Sequence, residues 1–134
     1  MRDLRDRADV DSLVIAFYRA AFADPLIGPI FTDIAKMDLD HHLPIIGDFW
    51  QTVLFGSALY RRNALRMHQA LNARVHLGHE EFDRWLSLWT ACVDTQYAGP
   101  VAERAKLQAG RIAGSMQRRL AGRSGSAFET ITRG

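Results

Sequence analysis

Cysteine is almost missing from this chain: of its 134 residues only Cys92 carries a thiol. One thiol excludes an intramolecular disulfide, and with it every cysteine-rich metal or covalent cofactor signature, which needs at least two. Cys92 reads instead as a small buried apolar filler. No apolar stretch reaches the roughly 18 uncharged residues of a membrane span, and the charged start "MRDLRDRADVD" lacks the apolar core of a signal peptide. These absences imply a soluble cytoplasmic protein. There is no glycine-rich phosphate loop, no nucleophile elbow and no pair of catalytic carboxylates, so hydrolase and kinase chemistry have no support. Alternating strand patterns, Asn-Gly hairpins, internal repeats and low-complexity tracts are lacking too.

What the chain has is helical periodicity from end to end, in a length suited to one domain. A first helix starts near Asp9 or Asp11, either of which can cap it. It carries Leu13, Ile15, Phe17, Tyr18, Ala21 and Phe22, and ends at Asp24-Pro25. "DPLIGPIF" holds two prolines and a glycine, which predicts a tight corner or a short 3₁₀ turn. A second helix covers about 38 to 56 and closes at Gly56. A third spans 63 to 72, "NARVHLG" leads to a fourth over 79 to 97, and Gly99-Pro100 opens a last one that ends at Gly122. Residues 1–122 form the domain, and 123–134 a flexible tail.

The net charge of +2 conceals an asymmetry. Residues 1–60 carry five Lys/Arg against nine Asp/Glu and residues 61–134 twelve against six, so the halves stand at −4 and +6. The arginines of the second half are scattered rather than clustered, which predicts a solvated surface and no nucleic-acid site.

Two histidines begin the run "HHLPIIGDFW". A helix advances about 100° per residue, so His42 shares a face with Ile46, Phe49 and Val53, with Trp50 beside it. His41 falls on a mixed flank with Ile45, Asp48 and Thr52 and meets solvent. On "NALRMHQAL", His68 shares a face with Ala64, Leu65 and Leu71. Taken singly, each is most simply a partly buried, hydrogen-bonded histidine. Together they aim imidazoles from two helices into an apolar interior. A pocket lined by Phe17, Tyr18, Ile46, Phe49, Leu65 and Trp85 between them suits a flat apolar cofactor with an axial coordination site, and noncovalent haem is the obvious candidate.

The segments "AFYRAAFADPLIGPIF", "HHLPIIGDFWQTVLFG", "YRRNALRMH", "HEEFDRWLSLWTACVD" and "YAGPVAERAKLQAGRIA", in this order and spacing, resemble the truncated haemoglobins, most closely group III. The resemblance spans nearly the whole globular part. It implies an all-α shortened globin, a two-over-two helical sandwich enclosing b-type haem, that binds dioxygen, nitric oxide, carbon monoxide or similar gases. By position, His68 matches the iron ligand and His42 the distal histidine. Ile46 lies one turn further along the distal wall, and Phe31 matches the phenylalanine packed on the haem face. Tyr18 and Trp85 match the polar aromatics that reach a bound ligand. Arg62 stands in a turn where glycine is expected, and His76 and His79 have no role by resemblance.

Each of these residues also has a plainer reading as core or surface. Arg66 and Arg62 are candidates for the haem propionates, since guanidinium suits carboxylate, with free surface charge as the alternative. His76-x-x-His79 has helical metal spacing but falls at a loop-to-helix junction and lacks the His-Glu-x-x-His pattern. Iron-bound dioxygen carries partial negative charge, so donors at Tyr18, His42 and Trp85 would slow its escape. That favours redox chemistry or sensing over delivery. Nitric-oxide dioxygenase or peroxidase-like work would need a separate reductase, because no flavin or nicotinamide domain is present. The contrasting expectation is a small helical regulator or interaction module that uses the basic second half.

Overall fold

The computed structural model describes residues 1–34, 38–56 and 77–120. The described residues form α1 (Arg7–Ala23), a π-helical turn (Ile30–Ile34), α2 (Leu39–Phe55), α3 (His79–Gln96) and α4 (Pro100–Leu120), with no strand among them. The expected helix over 63–72, the end of the last helix at Gly122 and the tail 123–134 lie outside the described residues. No described helix is long and apolar enough to cross a membrane.

The first helix begins earlier than its acidic residues suggest. Its N-cap is Asp6, in extended backbone, whose carboxylate accepts the Asp9 N–H at 3.1 Å. Asp9 is occupied otherwise: both its oxygens receive the Arg2 guanidinium at 2.6 Å, and Oδ2 also accepts the Arg5 N–H at 2.8 Å. Asp3 in turn crosses to the far end of the chain and accepts the N–H groups of Val101 and Ala102 at 2.9 and 2.8 Å. A carboxylate thus meets the positive N-terminal end of α4, where Pro100 takes the first helical position.

Asp24 ends α1 and organises the corner. One oxygen accepts the N–H groups of Leu26 and Ile27, and the other receives Arg84 of α3 at 2.6 Å. The expected corner is there, but the chain leaves it through a π-helical turn rather than a 3₁₀ one. Pro29, which has no N–H, sits at the front of that turn and interrupts the ordinary hydrogen-bond series. Gly28 is required by space, because a Cβ there would stand 2.5 Å from the Phe22 carbonyl oxygen. Gly28→Ala is therefore expected to cost about 1–3 kcal/mol through forced backbone movement. A denaturant midpoint equal to that of the wild type would refute this.

α2 is fastened to α1 by one arginine. Arg7 donates to Asp11 at 2.9 Å, to Asp48 at 2.8 Å, to Gln51 at 2.9 Å and to the Pro44 carbonyl at 3.1 Å. Gly47 leaves room for it, since a Cβ at that position would meet Arg7 Nη2 at 2.5 Å. The helix closes at Gly56, whose φ of 74° is in the left-handed region that glycine occupies freely, as expected from the sequence. α1 lies against α2 and α3, and α4 against α3 and α2, so two helix pairs stack on each other. Their shared core contains Leu13, Val14 and Phe17 of α1, Trp50 and Leu54 of α2, and Trp89 and Val93 of α3. The buried stripe Ala102, Ala105, Ala109 and Ala113 keeps α4 close enough for the Trp89 N–H to donate to the Ala105 carbonyl at 3.2 Å. Cys92 is half-buried, less enclosed than a core filler, and burial pushes its thiol pKa up.

Three carboxyls in these ties are held below the ordinary range. For Asp9 the main cause is the Arg2 hydrogen bond. For Asp3 and Asp24 burial alone would raise the pKa, and it is outweighed by backbone N–H donors, with Arg84 helping at Asp24. A group lowered on folding stabilises the fold above its unfolded pKa, near 4 for Asp, and that stability is lost as pH falls through this value toward the lowered one. The urea midpoint is expected to drop steeply below about pH 4, and less steeply in Asp24→Asn. Identical acid profiles for the two proteins would contradict the assignment to Asp24.

Candidate functional site

The inner side of α1 carries an aromatic chain that extends to the corner and to α3. Tyr18 contacts Phe17 (ring centroids 4.9 Å apart), Phe31 (5.6 Å) and Phe22 (6.0 Å), all edge-on. Phe17 continues the chain to Trp85 at 6.0 Å and Trp89 at 5.4 Å. The corner described above brings this about: it turns the chain back so that Phe31, in the π-helical turn, lies against both Tyr18 and Phe22.

Within that wall the Tyr18 hydroxyl stands out. The residue is 9% exposed, and its hydroxyl has no hydrogen-bond partner among the described residues. Burial pushes the phenol pKa up, so the proton stays on. An unsatisfied buried hydroxyl costs about 1–3 kcal/mol. The indole N–H of Trp85 likewise has no partner among the described residues, and Trp85 is only half-buried. Phe31, Ile46 and Phe49 are also half-buried and pack against the core, an arrangement expected of pocket walls.

His42 begins the α2 contribution, and the sequence phase holds: His42 is half-buried and His41 exposed, their rings edge-on at 5.4 Å. The Asp38 carbonyl lies 3.1 Å from the His42 backbone N–H and 2.9 Å from its Nδ1. A carbonyl only accepts, so Nδ1 carries the hydrogen. A neutral His42 therefore has its other nitrogen, Nε2, as a lone pair. It accepts there and does not donate, and it becomes a donor at Nε2 only when protonated.

Tyr18, Phe31, Phe17 and Trp85 are thus brought into one contact network, with Ile46 and Phe49 packed on the same core from α2. Leu65, Arg62, Arg66, His68 and His76 lie outside the described residues. His79 is exposed at the start of α3, its Nε2 2.7 Å from Asp83 and its Nδ1 3.4 Å from Gln117, in keeping with a solvated helix start. Sequence reasoning underrated Trp50, which lies nearly flat on Trp89 at 4.4 Å. Its position eight residues after His42, close to the inward face, was the available signal. A separate surface depression of about 390 Å³, lined by Leu26, Glu80, Asp83, Arg84 and Ser87, is not part of the aromatic site.

No family model matches the chain, and no curated protein matches it. Among solved structures, the fold matches the crystal structure of a group III truncated haemoglobin from Campylobacter jejuni. The TM-score is 0.79 and the identity 26%, over 93% of this chain and 99% of that one.

Proposed function

We propose that this chain, whose fold is that of a truncated globin, is a b-type haem protein that binds dioxygen and other diatomic gases at iron for redox or sensing work. The observation that carries the reading is the Tyr18 hydroxyl, buried in an aromatic wall with no partner among the described residues. A buried donor without an acceptor suits a site whose acceptor arrives as a ligand.

Haem fits the residues present. Phe31, Ile46, Phe49 and Leu65 would cover its faces, His68 would ligate the iron, and Arg62 or Arg66 would meet the propionates. When bound, the haem supplies an iron site for gases and, given electrons from a separate reductase, oxidative chemistry. This chain's own contribution would be to shape the pocket around a bound gas. Tyr18 and Trp85 donate hydrogen bonds to a ligand that carries partial negative charge. His42, with Nδ1 committed to the Asp38 carbonyl, stands as a gate rather than a donor at neutral charge.

Titration of the purified haem-free chain with haemin tests the proposal. Fluorescence from Trp50, Trp85 and Trp89 is expected to quench in a saturable way that ends at equimolar haem. Unsaturable quenching, of the kind a greasy surface gives, would overturn it.

A further inference from the structure

Three indoles follow one another through the core. Trp50 and Trp89 stack with ring planes 18° apart and centroids 4.4 Å apart. Trp85, one turn earlier on α3, is parallel to Trp89 within 6° at 6.3 Å. Trp85 is half-buried at the proposed pocket, whereas Trp89 and Trp50 are 1% and 4% exposed. Phe17 meets Tyr18, Trp85 and Trp89 edge-on, an arrangement with little face overlap. Only the indoles overlap face to face.

That overlap changes what happens when an electron is removed. A stacked pair spreads the positive charge over two rings, and the neutral ring's negative face attracts the charged one. The Trp89 N–H is held on the Ala105 carbonyl, which stabilises the proton but is too weak a base to take it. The Trp50 N–H has no acceptor among the described residues. The pair can therefore lose an electron while keeping its protons. Tyr18 is the competing oxidisable ring, but a phenol loses its proton when oxidised, and no described residue takes that proton, so Tyr18 competes only where the bound ligand itself accepts it.

The geometry points to the Trp50–Trp89 stack as an electron donor to the pocket, reached through Trp85, that gives up one electron when a peroxide is reduced there. The inference deepens the haem reading and rests on it for its oxidant. Reducing hydrogen peroxide breaks the O–O bond and takes two electrons and two protons to give two waters. Both electrons would be supplied from outside the cofactor. The stack supplies the first. Two molecules of a one-electron, one-proton donor of the phenol or ascorbate class supply the second and refill the stack, and their protons enter the waters.

The test mixes the ferric haem-loaded chain with hydrogen peroxide, freeze-quenches it for electron paramagnetic resonance, and maps oxidised residues by peptide mass spectrometry. The wild type is expected to give an indole radical, with oxygen added at Trp50 and Trp89. Trp89→Phe is expected to weaken that signal, to end oxygen addition at Trp50 and to shift oxidation to Trp85 and Tyr18. Trp50→Phe, which leaves Trp89 unstacked, is expected to shorten the radical's lifetime. An undiminished radical in Trp89→Phe, or wild-type oxidation confined to Tyr18, would overturn the relay. Failure of the chain to take up haem would instead overturn the haem reading. In that event the haem-free chain, oxidised by a photo-oxidised ruthenium polypyridyl complex, is read in the same way. A radical resting on the stack supports its role as electron donor, and one resting elsewhere overturns it.

Discussion

His68→Ala is expected to abolish stable haem retention, the largest effect expected of any single substitution. The residue lies outside the described residues. The assignment rests on its inward phase with Ala64, Leu65 and Leu71 and on its place in "YRRNALRMH". With His68 as the one protein ligand to iron, its loss would leave haem held by apolar contacts and the arginine–propionate pairing, so the variant should shed it on gel filtration and recover a globin-like spectrum only with added imidazole. A native spectrum in His68→Ala together with haem loss in His76→Ala would move the ligand to His76.

The second large effect belongs to Tyr18. Its hydroxyl is buried, keeps its proton and has no partner among the described residues, so a bound ligand is its natural acceptor. A hydrogen bond to a charged group is worth about 1.5–3 kcal/mol, and its lower end corresponds to roughly a tenfold faster dioxygen escape in Tyr18→Phe. His42→Leu should act differently. With Nδ1 bonded to the Asp38 carbonyl, a neutral His42 offers no donor, and its removal should alter ligand access and exit together while leaving haem affinity nearly unchanged. His41→Leu, exposed on the outer flank, should change little. Stopped-flow gas binding on the three variants separates these roles. Equal effects at 41 and 42, or none at 18, would mean that the α2 phase or the pocket is wrongly drawn.

Much of this arrangement is legible in the sequence because its signals are local. Asp24-Pro25, Gly56 and Gly99-Pro100 mark helix ends through backbone geometry that few other residues satisfy, and the 3.6-residue period separates His42 from His41. Tyr18 reads as inward for the same reason, whereas Phe31, in the corner, is marked only by the resemblance. Contacts between distant segments carry no such mark. Arg7 reaches Asp48 and Gln51 more than forty residues away, and Asp3 reaches the start of α4 across nearly the whole described chain. The sequence points to Asp9 or Asp11 as the cap of α1, and nothing in "RDLRDRADVD" shows that Arg2 takes Asp9 and leaves the cap to Asp6. The π-helical turn was missed because two prolines and a glycine signal a corner without specifying how the chain leaves it. The tautomer of His42 depends on where the Asp38 carbonyl points, which no spacing rule reveals.

The proposed function requires that this chain hold haem with an iron position open to gas. The most direct measurement is the absorption spectrum of the haem-loaded protein, reduced and then exposed to carbon monoxide. The expected result is an intense globin-type band, retained through gel filtration at equimolar haem, that shifts fully on addition of the gas. A band lost on the column, or one that carbon monoxide leaves unmoved, would contradict it.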